Sequence, residues 1–210
     1  MVAVIDLEIG NVGSLLRALE TVGVPAERTT NPAALARARA IVLPGVGAFG
    51  AAMDRLRGQG LVEPLRRAAA AGTPVFGICL GMQLLGSVSE EHGTHDGLGL
   101  VPGRVTRLSA SDPRLRVPNI GWVDVTPARK SRLFNGAAPG SFYHVHSYSL
   151  TPDDAGTVAA TIRFGDAPIC VAVERGDIWG VQFHPEKSQD AGLDLLARYA
   201  ARLRELNRLS

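Results

Sequence analysis

Three short apolar runs, each followed by residues at helical spacing, dominate the first ninety positions. The run at 2–7, VAVIDL, is broken at Asp6. After it, Val12, Leu15, Leu16, Leu19 and Val22 predict a helix over 11–23, with Asn11 as its cap and Gly23 as its stop. ARAIVLPG at 38–45 reads as the second strand and ends in a Pro-Gly turn. Residues 47–72 read as helical with an interruption near Gly58 to Gly60. TPVFGI at 73–78 is the third strand, and 79–90 reads as the helix after it. Continuously apolar strands have no polar face to offer water. Alternating with helices, they predict an α/β fold whose mostly parallel central sheet is covered on both faces.

The character changes at about residue 97. GRVTRL, NIGWVDV, SFYHVHSYSL, TVAATIRF, ICVAVERG and DIWGVQFH are short strand-like runs split by turn residues, so the second half adds antiparallel or mixed strands with hairpins. AGLDLLARYAARLRELN at 191–207 is a closing amphipathic helix. With no repeat, low-complexity tract or linker, one domain over residues 1–210 is expected.

Composition narrows the function classes. Apolar residues make up 46% and charged residues 20% of the 210, a globular balance rather than a disordered one. The formal net charge of +2 comes from basic residues spread along the chain, which argues against a nucleic-acid partner. No basic leader precedes the first apolar run, and no run reaches the ~18 residues of a membrane span. Two cysteines in a chain of this length do not form a disulfide framework. The expectation is a cytoplasmic, reduced protein with no membrane association, in which a cysteine can act as a thiolate.

One of those cysteines sits in a tight corner. Gly77-Ile78-Cys79-Leu80-Gly81 spans the junction of the third strand and its helix, with the Gly-x-nucleophile-x-Gly spacing of hydrolase elbows. A helix N-terminus lowers thiol pKa values, and its free N–H groups can stabilise an oxyanion. The competing reading is a buried cysteine packing as a small apolar residue. A nucleophile also needs a base and a group to orient it. Of five histidines, His184 in WGVQFHPEKS stands out. Glu186 follows two positions later, on the same side of an extended segment, and Pro185 keeps His184 out of helix. A surface turn with a satisfied histidine is the alternative.

Other stretches carry weaker signals. In LPGVGAFG, glycines 45 and 47 follow the second strand at the sheet edge where ligands of open α/β folds bind. The loop therefore belongs to the second strand-helix unit and can present a backbone N–H. EEHGTHDG at 90–97, with His92, His95 and Asp96, reads as a solvated loop, and neither a metal nor a cofactor is expected. Trp122, Trp179, Tyr143, His144, His146 and Tyr148 read as core or rim residues that can also line a pocket or dock a partner. Cys170 reads as a buried strand residue without a role.

GICLGMQLL and GVQFHPEKS together resemble the class I glutamine amidotransferases of the triad type. With LPGVGAF, VHSY and the Gly-Leu after EKSQ, the likeness narrows to the glutaminase subunits of imidazole glycerol phosphate synthase and runs to about residue 196. The resemblance implies a flavodoxin-like fold. It implies Cys79 as nucleophile, His184 as base and Glu186 as orienting acid. It makes the Leu80 N–H and the backbone at Val46 and Gly47 the oxyanion site, and sets Gln83, His146, Ser147 and Tyr148 around substrate glutamine. It further implies ammonia transfer to a barrel-shaped cyclase subunit in a heterodimer, with Asn119, Trp122 and Tyr143 at the interface. That subunit would convert the carboxamide ribonucleotide PRFAR to imidazole glycerol phosphate and AICAR. The chain departs from the usual family pattern at Leu7 and Glu8 (Tyr and Gly), at Asn119 and Val123 (His and Asn), and at His144 (commonly aromatic), near the implied interface. Three other readings compete: a paralogous glutaminase serving a different synthase, such as one that aminates a sugar nucleotide; a cysteine amidohydrolase needing no partner; and a non-catalytic module on the same fold.

Overall fold

The computed structural model describes residues 1–8, 12–109, 115–128, 131–134 and 140–209; the expected Asn11 cap lies outside the described residues. The chain runs through β1 (Val2–Ile5), α1 (Val12–Thr21), β2 (Ala26–Thr29), α2 (Pro32–Leu35), β3 (Ala40–Gly45), α3 (Phe49–Gly58), α4 (Val62–Ala70), β4 (Val75–Cys79) and α5 (Leu80–Leu84). It continues through β5 (Val88–Ser89), β6 (His95–Asp96), β7 (Gly103–Arg107), β8 (Asn119–Pro127), β9 (Gly140–His146), β10 (Tyr148–Pro152), β11 (Val158–Phe164), β12 (Ala167–Arg175), β13 (Ile178–Val181) and α6 (Gln189–Glu205). Among the described residues the strands form a nine-stranded sheet, in the order β2-β1-β3-β4-β13-β12-β11-β8-β9, and a four-stranded one, β10-β7-β5-β6.

Period-two alternation sorts side chains to the two faces of the large sheet. Val2, Val4, Val42, Phe76 and Ile78 pack with Leu15 and Leu19 of α1 and with Leu196, Tyr199 and Leu203 of α6. Ala3, Ile5, Ile41, Leu43 and Val75 pack with Phe49, Met53 and Leu56 of α3 and Leu65 of α4. Gly23 ends α1 as expected: at φ +74 it lets its own N–H reach Glu20 O and the Val24 N–H reach Leu19 O. Among the described residues no helix is long and apolar enough to cross a membrane.

Several sequence expectations are corrected. AERT is an edge strand, β2, paired in parallel with β1, and its residues are exposed or half-buried. An edge strand of this kind has no apolar run to betray it. The LPGVG loop therefore follows the third strand and belongs to the third strand-helix unit. The helix expected to reach residue 90 stops at Leu84. Gly86 bends the chain so that Val88 and Ser89 pair in parallel with β7. SFYHVHSYSL divides at Ser147 into β9 and β10, which join different sheets. The segment at 90–97 is more than a solvated loop, since Glu91 Oε2 accepts the Phe49 N–H (2.6 Å) and caps α3. Finally, β13 enters in parallel beside β4, pairing Ile178–Val181 with Val75–Ile78.

Three glycines permit close backbone approaches around the elbow and the turn after β13. A Cβ on Gly77 would lie 2.6 Å from Gly81 O; one on Gly81 would overlap Leu43 O; one on Gly192 would overlap Pro185 O. The first two let α5 lie against β3 and β4, and the third lets α6 touch the turn after β13. Gly58 has open space around it. Gly81→Ala and Gly192→Ala should each lose about 3 kcal/mol or more. Gly58→Ala, at the end of α3, should gain about 0.5 kcal/mol. Urea unfolding midpoints separate the two outcomes.

Candidate active site

No residue intervenes between β4 and α5, so the chain turns within Cys79 itself, at φ 55 and ψ −112. A positive φ in a residue with a Cβ costs on the order of 1–3 kcal/mol and persists only where its surroundings impose it. The imposition is visible: Gly45 of β3 pairs with Cys79, and Val181 of β13 pairs with the preceding Ile78. The thiol is free and its residue is 6% exposed.

The chain leaving β13 brings Gln182 and His184 to the same elbow. His184 is extended (φ −104, ψ 93), and residues Pro185–Lys187 form a 3₁₀ turn. That turn folds Glu186 back so that its Oε1 sits 2.8 Å from His184 Nδ1. The pairing expected for an extended segment thus arises from a tight turn begun by proline. The backbone around it is pinned: the His184 N–H donates to Tyr143 O (3.0 Å), and Ser188 Oγ donates to His184 O (2.6 Å) while accepting the Tyr143 N–H (3.0 Å). With the carboxylate on Nδ1–H, Nε2 is the basic nitrogen of the neutral ring. It is buried and has no hydrogen-bond partner.

Three histidines share this interior and differ in charge. Burial pushes the His184 pKa down, but the nearness of Cys79 and the hydrogen bond and charge of Glu186 outweigh it and raise the value to about 9. The influence of Cys79 reflects proximity, since no hydrogen bond of good geometry joins it to Nε2. His144 is lowered to about 3 by burial and then by His146 and His184. His146 is lowered to about 4, chiefly by burial, although its bond to Tyr148 O opposes the shift. Near neutral pH, His184 alone of the three carries a proton charge.

The other expected site residues divide by location. The pairing of Gly45 with Cys79 sets the Val46–Gly47 loop beside the elbow, and Gly47 has φ +95. A Cβ on Gly45 would lie 3.3 Å from Leu80 Cβ, so the ends of β3 and β4 are in contact. A cavity of about 180 Å³ borders Val46, His184, Glu186 and Lys187 but not Gln83, His146, Ser147 or Tyr148. Gln83 is buried, and its amide nitrogen donates to Tyr148 O (3.1 Å) and Gln182 Oε1 (3.0 Å). His146 Nδ1 lies 2.9 Å from Tyr148 O, and its Nε2 is 3.3 Å from both Asn119 Nδ2 and His144 Nδ1. Ser147 is the half-buried residue between β9 and β10. Trp122 and Tyr143 pair edge to face across β8 and β9, with ring centroids 6.2 Å apart. Asn119 faces inward to His146, whereas Trp122 is 48% exposed beside Ile120 and Val145. Among the described residues no group of three His, Cys, Asp or Glu side chains is arranged to hold a metal.

Sequence reasoning missed Gln182 and Ser188. Both lie within a few residues of His184 in stretches already singled out. Period-two alternation from His184 would have found Gln182; nothing in the sequence marks Ser188 as the clasp of the turn.

Linkage gives a pH prediction. A raised pKa stabilises the fold fully below the unfolded value of about 6.5 and loses that effect as pH rises through about 9. A lowered one stabilises above about 6.5 and loses that effect as pH falls toward 3–4. His144→Phe should therefore flatten the loss of stability below about pH 6.5, and Glu186→Gln should flatten the loss above it. Urea midpoints measured across the range check both signs.

The family model described as glutamine amidotransferase class-I matches residues 3–199. The chain is 45% identical over 204 residues to the imidazole glycerol phosphate synthase subunit HisH of Syntrophotalea carbinolica, covering 95% of this chain and 98% of that one. It is 47% identical over 202 residues to the subunit of the same name from Chlorobium chlorochromatii, covering 95% and 99%. Two solved structures share the fold. One is a glutamine amidotransferase (TM-score 0.74, 22% identity, 98% and 97% covered), and the other is PurLQS from Thermotoga maritima (TM-score 0.70, 19% identity, 98% of each chain covered). With its elbow cysteine and a matched span from first strand to last helix, the chain belongs to the class I glutamine amidotransferases.

Proposed function

We propose that the chain is the glutaminase subunit of imidazole glycerol phosphate synthase. The observation that carries the chemistry is the strained Cys79 elbow beside a buried His184–Glu186 pair 2.8 Å apart. Cys79 sulfur attacks the side-chain amide carbon of glutamine. The carbonyl electrons move to oxygen, where the Leu80 N–H and the backbone at Val46 and Gly47 stabilise the charge. His184 passes its proton to the leaving nitrogen, and ammonia departs from a thioester. Water, deprotonated by His184, then releases glutamate and restores Cys79. Glu186 holds the imidazole by Nδ1 throughout, the role of the third member of a triad. Gln83 and residues 146–148, which do not border the cavity beside His184, act in this reading as the internal support of the glutamine site.

The relatives are named as subunits of imidazole glycerol phosphate synthase, which supports the reading of a partnered enzyme. We assign ammonia transfer to a cyclase subunit that converts PRFAR to imidazole glycerol phosphate and AICAR. The exposed apolar stripe Ile120, Trp122 and Val145 supports a docking face on the β8–β9 ribbon, and isolated exposed tryptophans are favoured anchors at such faces.

Glutamate release should be low for the chain alone and rise strongly with the cyclase subunit and its nucleotide ligand. High activity alone would instead indicate a partner-independent hydrolase, and no rise with this cyclase would indicate a different synthase. Cys79→Ala should abolish release, by about 10³-fold or more, with an unchanged unfolding midpoint and partner affinity. Trp122→Ala should reduce stimulation by the partner while leaving the unfolding midpoint unchanged.

A further inference from the structure

A chain of amides runs through the interior and ends at the sulfur. Gln182 is fully buried just past β13, its backbone N–H held by Val171 O (2.8 Å). Its side-chain Nε2 lies 3.8 Å from Cys79 Sγ, within range of an N–H···S hydrogen bond, and its Oε1 accepts from Gln83 Nε2 at 3.0 Å. Gln83 Nε2 also donates to the carbonyl of Tyr148 at 3.1 Å.

The order of donors in this chain is forced. A backbone carbonyl only accepts, so Tyr148 O requires the nitrogen of Gln83 to face it. That nitrogen has two hydrogens, and the second meets Gln182. Gln182 must answer with its oxygen, because its own nitrogen there would set donor against donor. Its nitrogen is thereby left toward Cys79. The orientation of a freely reversible amide is thus fixed by a main-chain atom two side chains away.

We propose that Gln182 is a positioning residue for Cys79: its amide N–H holds the sulfur at the elbow, and Gln83 keeps that amide from turning over. A neutral donor supports sulfur in the negatively charged form without adding a second cation beside His184. It also contacts the sulfur from the chain leaving β13 rather than from the helix that carries the backbone N–H groups, so the thiol is held from two sides. The inference rests on the reading of Cys79 as the nucleophile.

Two changes of similar size test it in the full-length chain. Gln182→Leu removes both bonds. Gln182→Glu keeps the acceptor for Gln83 but sets an oxygen against the sulfur, and only its protonated form regains a donor. Alkylation of Cys79 by iodoacetamide, read by mass spectrometry of its peptide, should slow about tenfold in both near pH 7, with kcat for glutamine falling more than KM changes. The ratio of Gln182→Glu to wild-type rates should climb as pH falls from about 8 to about 6, while that of Gln182→Leu stays flat. Wild-type alkylation rates in both variants, or parallel pH ratios, would overturn the proposal. If Gln182→Leu does not fold, Gln83→Leu replaces it. Freeing the Gln182 amide should slow alkylation about threefold, and an unchanged rate overturns the proposal equally. His184→Ala separates the underlying reading: if it leaves both the alkylation rate and glutamine hydrolysis untouched, the nucleophile assignment itself fails.

Discussion

Four residues of parallel pairing, Ile178–Val181 against Val75–Ile78, hold the candidate site together. The elbow lies at the end of one strand and the proposed base just beyond the end of the other, 105 positions later in sequence. Because both strands run the same way, they deliver their following residues to the same edge of the sheet. An antiparallel pairing would send His184 to the opposite edge. The pairing is also where the sheet changes character: β13 is parallel to β4 on one side and antiparallel to β12 on the other. The antiparallel half thus reaches the site as support, with β9 supplying the Tyr143 carbonyl and N–H that pin the His184 turn.

Electrostatics in so small an interior allows one cation, and the structure decides which histidine it is. His184 has a carboxylate at Nδ1 and sulfur nearby, so its charged form is favoured despite burial. His146 offers Nδ1 to a backbone carbonyl, a weaker counterweight that does not overcome desolvation. His144 has only His146 at Nδ1, and its Nε2 is buried without a partner, so it is the most depressed of the three. Each neutral histidine is lowered further by the charge on His184. Holding a proton near neutral pH is what His184 needs in order to give one to departing ammonia.

Much of this is legible in the sequence because the central parallel strands β1, β3 and β4 are buried and read as unbroken apolar runs. The elbow was legible because Gly77 and Gly81 are required by contacts with backbone atoms, which no side chain can substitute. What escaped was set by partners rather than by local pattern. The edge strand β2 has no buried face to give it periodicity. The early end of α5 depends on the pairing of residues 88–89 with β7, and Leu80 to Leu85 carry no stop signal of their own. Strand alternation predicts the His184–Glu186 pair for the wrong reason, because it gives the same two-residue spacing as a 3₁₀ turn started by Pro185. Gln182 was invisible because a glutamine announces a role only through what its two ends touch.

Two of the departures from the family pattern turn out to be one physical feature. Asn119 and His144 look unrelated in sequence, yet both end on the same atom, His146 Nε2, at 3.3 Å. The Tyr148 carbonyl fixes the proton of His146 on Nδ1, so Nε2 is an acceptor that must find a donor in a buried place. An aromatic at 144 without a ring N–H would leave that duty to residue 119 alone. Here an amide and a second imidazole share it. The same carbonyl orients Gln83, and through it Gln182. One main-chain oxygen therefore sets donor direction toward the nucleophile through Gln83 and toward Asn119 at the base of the exposed Ile120–Trp122 stripe through His146.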